Sequence, residues 1–340
     1  MFNFSKKIGI DLGTVNILVY EKDNGIVLEE PAVVAREKED DNVLAVGKEA
    51  RKMLGRTPGN IAAIRPLKGG VIADFEVAEL MLKKLISKVI KRRPFFKPTI
   101  MICVPVGITG VEKRAVIEVA NEVGARKSYL IEEPLAAAIG ANLPIAQADG
   151  SMIIDIGGGT SEIAVISLGG IVLSDSLRIG GDSFDDAMIR YIRDKYNIII
   201  GEKTAEEIKK EIGAAYTREN KKYEVRGRDV TSGLPKKLTI TAEETVEAFR
   251  ENINNIIEGV RNVLEQTPPE LSSDIMDKGI VLTGGGSLLE GFAELLSKKT
   301  QIPVFLADEP LYCVAKGTGQ ALEELDKLDG ILFSSDDVND

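Results

Sequence analysis

At 340 residues the chain exceeds the usual size of one domain, roughly 100–200 residues, so two domains are expected. Its 53 acidic against 43 basic residues leave a net charge of −10, which argues against a whole-surface nucleic-acid binder, and no nucleic-acid partner is expected. Histidine is absent and only two cysteines occur, Cys103 and Cys313, so histidine bases, the serine–histidine–acid triad and a cysteine zinc or disulfide framework are excluded; carboxylates, hydroxyls, lysines and bound cations are left for any chemistry.

No apolar run reaches the roughly 20 residues that span a bilayer, and MFNFSKK lacks the apolar centre of a secretory signal, so a cytoplasmic location is expected. Along the chain, Ile8 to Tyr20 reads as two strands joined by DLGT, with a further strand around Gly25 to Glu30. From Asp74 to Arg93, apolar residues at Val77, Leu80, Met81, Leu85, Ile86, Val89 and Ile90 keep the spacing of an amphipathic helix. The strand TIMICVPV follows, and then Thr109 and Glu112 form the capping box of a helix ending at Gly124. SYLI and PLAAAIGA read as a strand and a short helix, with EEP at their junction.

Residues 152–178 restart the pattern with a second glycine-broken hairpin. Thr241 and Glu244 cap a long helix from Ala242 to Gln266, followed by the strand GIVLTGGGS, a helix from Leu289 to Thr300 and the strand IPVFLA. The halves share an order of elements, a weak internal symmetry within a mixed α/β class. Residues 33–67 and 182–240 look like insertions, one in each half, and the tail SSDDVND is acidic and expected to be disordered.

The two hairpins, IGIDLGTVNILVY and MIIDIGGGTSEIAVIS, each end a strand on an aspartate, Asp11 or Asp155, followed by glycine and then by Thr14 or Thr160. One such turn is explained by glycine's tolerance of hairpin dihedrals. A pair suits phosphate binding, since glycine amides form a concavity for the anion and each aspartate needs a cation, such as magnesium, between itself and that anion. Ordinary turns with capping aspartates are the alternative.

On these residues the chain resembles the actin, hexokinase and heat-shock chaperone ATPase superfamily, and within it is similar to the MreB family of bacterial actins, Mbl included. The similarity runs from about Ile8 to Leu328, through GRTPGNI, IRPLKGGVIADFEV, IEEPLAAAIGA, DIGGGTSE, GEKTAEEIK, GRDVTSGLP, TPPELSSDIMDKGIVLTGGGS and CVAKGTG. The resemblance implies an actin-like ATPase fold, α/β, with two similar domains around a nucleotide cleft. Domain I would be 1–142 with an inserted subdomain at about 33–67, domain II 143–325 with one at about 182–240, and 326–340 an acidic flexible tail.

It implies, further, that Gly13, Thr14, Val15 and Asn16 form one phosphate loop and Gly157, Gly158, Gly159 and Thr160 the other, with Asp11 and Asp155 near Mg2+ through water. Glu206, Glu207, Ile208 and Lys209 would meet the purine and ribose, and Gly284, Gly285, Gly286 and Ser287 the adenosine side. Glu133, assisted by Thr160, would orient the attacking water; read without that resemblance, Glu133 is better taken as a helix N-terminal acid before Pro134. Val15, Ser161 and Gly69 depart from the family's commoner alanine, threonine and aspartate, and none of them removes a proposed ligand.

SKVIKRRPFFKP, residues 87–98, carries Lys88, Lys91, Arg92, Arg93 and Lys97 without an acid, beside Phe95 and Phe96. A solvated helix end with its phenylalanines tucked into the core is one reading; the loop that family members press into the bilayer is the other. Two phenylalanines at about 1.5–3 kcal/mol each and two or three cations at about 1 kcal/mol each set an upper limit of roughly 5–9 kcal/mol, weak for a monomer and strong for linked copies. Phe2 and Phe4 could add a second contact. The function implied is a slow ATPase that polymerises with itself on the inner membrane face and scaffolds cell-wall synthesis, with elongation proteins such as MreC and RodZ as partners. The alternative is a small-molecule kinase on the same fold.

Overall fold

The computed structural model describes residues 6–39, 42–90, 97–217, 219, 221–325 and 332–334. The sheet of the first half has the strand order Phe333–Ser334, Lys127–Glu132, Thr99–Val104, Lys7–Leu12, Asn16–Glu21, Gly25–Pro31. The last three form an antiparallel meander, while Thr99–Val104 and Lys127–Glu132 run parallel to Lys7–Leu12. The second half repeats this layout: Gly170–Leu177, Ser161–Ser167 and Ser151–Ile156 are the meander, and Ile280–Thr283 and Val304–Leu306 continue in parallel. The symmetry that is weak in sequence is therefore strand for strand in space, the edge strand Phe333–Ser334 apart.

Thr99–Val104 and Ser151–Ile156 are buried along their whole length, as central strands covered on both faces must be. Both predicted capping boxes form: the Thr109 hydroxyl accepts from the Glu112 amide at the start of Gly110–Glu122, and Thr241 does the same for Glu244 ahead of Ala242–Gln266. Asp74 caps Phe75–Val89 by accepting from the Val77 amide. The helix expected from Leu289 starts later, at Phe292, because a 3-10 turn, Gly285–Leu288, comes first and Gly291 takes a left-handed φ of 73°. A side chain there would lie 2.1 Å from the Tyr216 carbonyl oxygen, so the sequence uses glycine.

Each sheet has its own core, one around Phe184, Phe249 and Phe292 and the other around Ile10, Leu85 and Ile102. A third apolar cluster joins them. Glu133–Gly140 follows a strand of domain I yet packs on Ser151–Ile156 and Ser161–Ser167, while Cys313–Ala321 follows the last strand of domain II yet packs on Lys7–Leu12 and Thr99–Val104. The two helices cross through glycine: a Cβ on Gly140 would lie 1.9 Å from the Cys313 carbonyl oxygen, and one on Gly317 1.8 Å from that of Ala136.

Residues 33–67 hold a three-stranded sheet, Val43–Val46, Val34–Glu37 and Ile61–Ile64, with a small core of Val33, Ala35 and Ala50. Residues 182–240 carry another, Ile198–Ile199, Lys222–Asp229 and Pro235–Thr241, whose buried Val225 and Ile240 belong to the main domain II core. Three residues of the expected tail over 326–340, 332–334, are among those described. Phe333 and Ser334 form an edge strand beside Leu130 and Tyr129, because Phe333 packs against the domain I core. No helix among the described residues is long and apolar enough to cross a membrane.

Candidate nucleotide site

The repeated topology brings the two glycine-broken hairpins face to face. A Cβ on Gly158 would lie 2.2 Å from Val15 Cγ2, and one on Gly159 2.6 Å from Thr14 Oγ1, so the two turns are already in contact. Gly157, Gly158 and Gly159 all lack a left-handed φ. At 158 and 159 glycine serves close approach rather than turn geometry. Gly13 is tight for the same reason, its Cβ position lying 2.6 Å from the Asn16 carbonyl oxygen.

A third glycine turn, unassigned by sequence reasoning, closes over both hairpins. Gly70, at φ 79°, donates its amide to Thr14 Oγ1 at 3.1 Å, and its Cβ position lies 2.9 Å from Thr160 Cγ2. The only signal for it was the GG of IRPLKGG, next to the departing Gly69.

Four carboxylates converge beneath these loops. Asp155 is buried and accepts from the Thr283 hydroxyl at 2.7 Å; burial lifts its pKa to about 6 despite that bond. Burial and the charge of Asp155 lift Asp11 to about 7, opposed by a 3.4 Å hydrogen bond from the Cys103 thiol. Burial, followed by the charges of Glu162, Asp11 and Asp155, pushes Glu133 well above the ordinary carboxylate range. Glu162, fully buried, takes a 2.7 Å bond from Ser176 on one oxygen, and its Oε2 is without a partner among the described residues; its pKa is pushed up to about 7, chiefly by burial.

Sequence reasoning missed Glu162, Thr283 and Cys103; strand alternation, which sets Glu162 on the face of Asp155, was the available signal. Asp11 and Glu133 keep some access to the cleft. Among the described residues no group of three acidic, cysteine or histidine side chains is arranged to hold a metal ion directly. Repelling, partly desolvated carboxylates without such a cage suit a hydrated divalent cation that shares its shell with an anion.

On the expected adenosine side, Glu206 hydrogen-bonds Arg51 of domain I and, at 2.7 Å, Lys210. Burial alone would raise its pKa, but these two cations outweigh it and hold Glu206 at about 2. Glu207 faces the Tyr223 hydroxyl at 3.5 Å, and Ile208 is buried in the domain II core. Lys209 donates to the Gly181 carbonyl at 2.6 Å and to Asp185 at 2.8 Å. Gly284, at φ 80°, and Gly286 lie against Ile156 at the mouth of the second loop, their Cβ positions 2.3 Å from its carbonyl oxygen and 2.2 Å from its Cγ2. Ser287 donates to the Gly284 carbonyl at 2.6 Å and so ties that turn together, with Gly285 beside Leu311. Phe2, Phe4, Arg92, Arg93, Phe95 and Phe96 lie outside the described residues.

Two sheets of one topology, joined by crossing helices and lined at the cleft by facing glycine turns, define an actin-like fold. The MreB/Mbl protein family model matches residues 5–330, and the chain belongs to that family. It is 54% identical to the cell shape-determining protein MreB of Escherichia coli (strain K12), covering 98% of each chain. With the cell shape-determining protein Mbl of Bacillus subtilis (strain 168) it shares 51% identity over 96% of this chain and 98% of the relative. The crystal structure of MreB5 of Spiroplasma citri bound to ADP superposes with a TM-score of 0.91 at 39% identity, covering 96% of this chain and 98% of that one. A MamK double helical filament shares the fold at a TM-score of 0.81 and 22% identity, over 94% and 99% of the two chains.

Proposed function

We propose that this protein binds and slowly hydrolyses Mg-ATP between its two hairpins and uses the nucleotide to control its polymerisation into membrane-bound filaments that organise cell-wall synthesis and rod shape. The observation that carries this reading is the contact of the two glycine turns above four converging carboxylates, two of them buried and two open to the cleft. The amides of residues 13–16 and 157–160 would hold the phosphates, and Glu206, Glu207 and the 284–287 turn would border the nucleoside. Ile208 would contribute through its backbone, and Lys209 through its hold on Gly181. Asp11 and Asp155 would hold Mg2+ through water, where the cation neutralises phosphate charge.

Glu133, with Thr160 beside it, is suited to orient water and accept its proton; its carboxyl must be ionised for that step, which the neighbouring carboxylates oppose until positive charge enters the site. The crystal structures of MreB5 bound to ADP and to AMPPNP support nucleotide binding by the same fold.

Membrane attachment finds support in the backbone. The Thr99 amide donates to the Lys6 carbonyl at 2.9 Å, so the chain enters the described fold from 1–5 beside the point where it returns from 91–96. The described residues Lys6 and Thr99, close in the chain to the two basic, aromatic segments, are therefore neighbours, and avidity along a polymer would multiply the segments' weak individual contributions. Wall-elongation proteins such as MreC and RodZ are the partners this reading implies. Phosphate release and sedimentation, measured with Mg-ATP with and without anionic liposomes, test it; a chain that stays monomeric and releases no phosphate under all conditions overturns it.

A further inference from the structure

The second hairpin is held from behind by a segment that neither its motif nor the cleft residues include. Gly180 lies against it, with its Cβ position 2.7 Å from the Gly158 carbonyl oxygen and 2.9 Å from that of Gly157. Gly181 donates its amide to the Gly157 carbonyl at 3.0 Å, and Asp182 donates to that of Gly158 at 2.8 Å. In a trans peptide the carbonyl and the following amide point in opposite directions. Tying back the carbonyls of 157 and 158 therefore turns the amides of 158 and 159 toward the cleft, as an anion-binding turn requires.

Two side chains fix that segment. Lys209 donates to the Gly181 carbonyl at 2.6 Å while paired with Asp185, a bond internal to domain II. From the other side of the cleft, Arg65 Nη1 meets Asp182 Oδ1 at 2.9 Å, and its other terminal nitrogen lies 3.8 Å from Glu202. Arg65 directly follows the strand Ile61–Ile64 and shares a short stretch of chain with Gly70, whose amide binds Thr14 of the first hairpin.

We propose that Arg65 and Asp182 are a positioning pair that braces the second phosphate loop across the cleft, so that closure of domain I onto domain II sets the direction of the loop's amides. The brace rests on the reading of residues 157–160 as a phosphate loop. It explains why the segment reads GGD: the glycines allow backbone to lie on backbone, and the aspartate supplies both an amide for the loop and a carboxylate for the opposite domain. Arg65 touches no reacting group; it acts through Asp182.

Hydrogen exchange of the nucleotide-free full chain tests the brace directly, alongside the dissociation rate of a fluorescent ADP analogue in magnesium. In Arg65→Gln and Asp182→Asn, the bonded amides of 157, 181 and 182 should exchange about five- to tenfold faster and ADP should leave faster by a similar factor, with Arg65→Lys recovering part of both. Protection across Ser151–Ile156 should be unchanged. Loop exchange within about twofold of the parent, or equal loosening of Ser151–Ile156, overturns the proposal. Failure of the parent protein to bind ADP would instead remove the nucleotide reading, while the exchange measurement still decides whether the brace exists.

Discussion

Asp155 and Glu162 stand directly opposite one another in the antiparallel register of the second hairpin, so two buried carboxylates share one face of the sheet. Like charges in that position repel, and burial raises both groups, to about 6 and about 7. The folded protein therefore keeps protons that the unfolded chain releases from about pH 4 upward. The contribution of this pair to the stability of the nucleotide-free protein should be full below the ordinary carboxylate values and be lost progressively as pH rises through about 6 to 7. Glu162→Gln should flatten that dependence and add about 1 kcal/mol at neutral pH, read by urea unfolding at several pH values. A parent protein whose stability rises over this range would contradict the charge arrangement.

Glu133 is, with Asp11, one of two carboxylates with both cleft access and a place in the cluster, and the one not placed beside the cation. Glu133→Ala should lower phosphate release by about 100-fold or more while leaving nucleotide affinity little changed, the pattern of an interaction made in the transition state. A helix N-terminal acid with no further role would instead leave turnover intact and cost only stability. Steady-state phosphate release combined with equilibrium ADP binding separates the two.

The hairpins, the capping boxes and the order of elements were legible in the sequence because each depends on residues a few positions apart. What lay beyond it were contacts between distant segments: Gly70 on Thr14 across 56 positions and Arg65 on Asp182 across 117. The three glycines of DIGGGTSE are the instructive case. Turn chemistry explains them by positive φ, yet all three lack it, and what demands glycine at 158 and 159 is the other hairpin, far away in the chain. Gly158→Ala should therefore separate the two turns and weaken ADP binding strongly. Gly157→Ala, whose nearest neighbour would be the Thr160 carbonyl oxygen at 3.5 Å, should change the nucleotide-free protein's stability little. Thermal unfolding and ADP titration of both variants check this; equal effects would return the glycines to a turn role.

Glu206 also joins the domains, through Arg51. Its pKa is depressed to about 2, so its contribution is present above the ordinary value near 4.5 and lost as pH falls from there toward 2. Arg51→Gln should reduce that acid dependence and let the cleft open, increasing the radius of gyration measured by small-angle scattering. An unchanged acid profile in the variant would mean that Lys210 alone holds Glu206 down.

The crossing of Glu133–Gly140 with Cys313–Ala321 links this chemistry to domain movement, because the helix that begins with the candidate catalytic residue is pinned at its other end by glycine contact. Backbone-to-backbone packing has no side chain that can rotate aside, so even one methyl group must push the helices apart. Gly317→Ala, with its Cβ 1.8 Å from the Ala136 carbonyl oxygen, should cost about 1–3 kcal/mol of stability. Gly110→Ala, at a helix start with open space around it, should instead be neutral or stabilise by about 0.5–1 kcal/mol. Denaturant unfolding of the two variants distinguishes crowding at the crossing from a general response to alanine. If Gly317→Ala keeps full stability but loses turnover, the crossing transmits strain to Glu133 instead of holding the domains together.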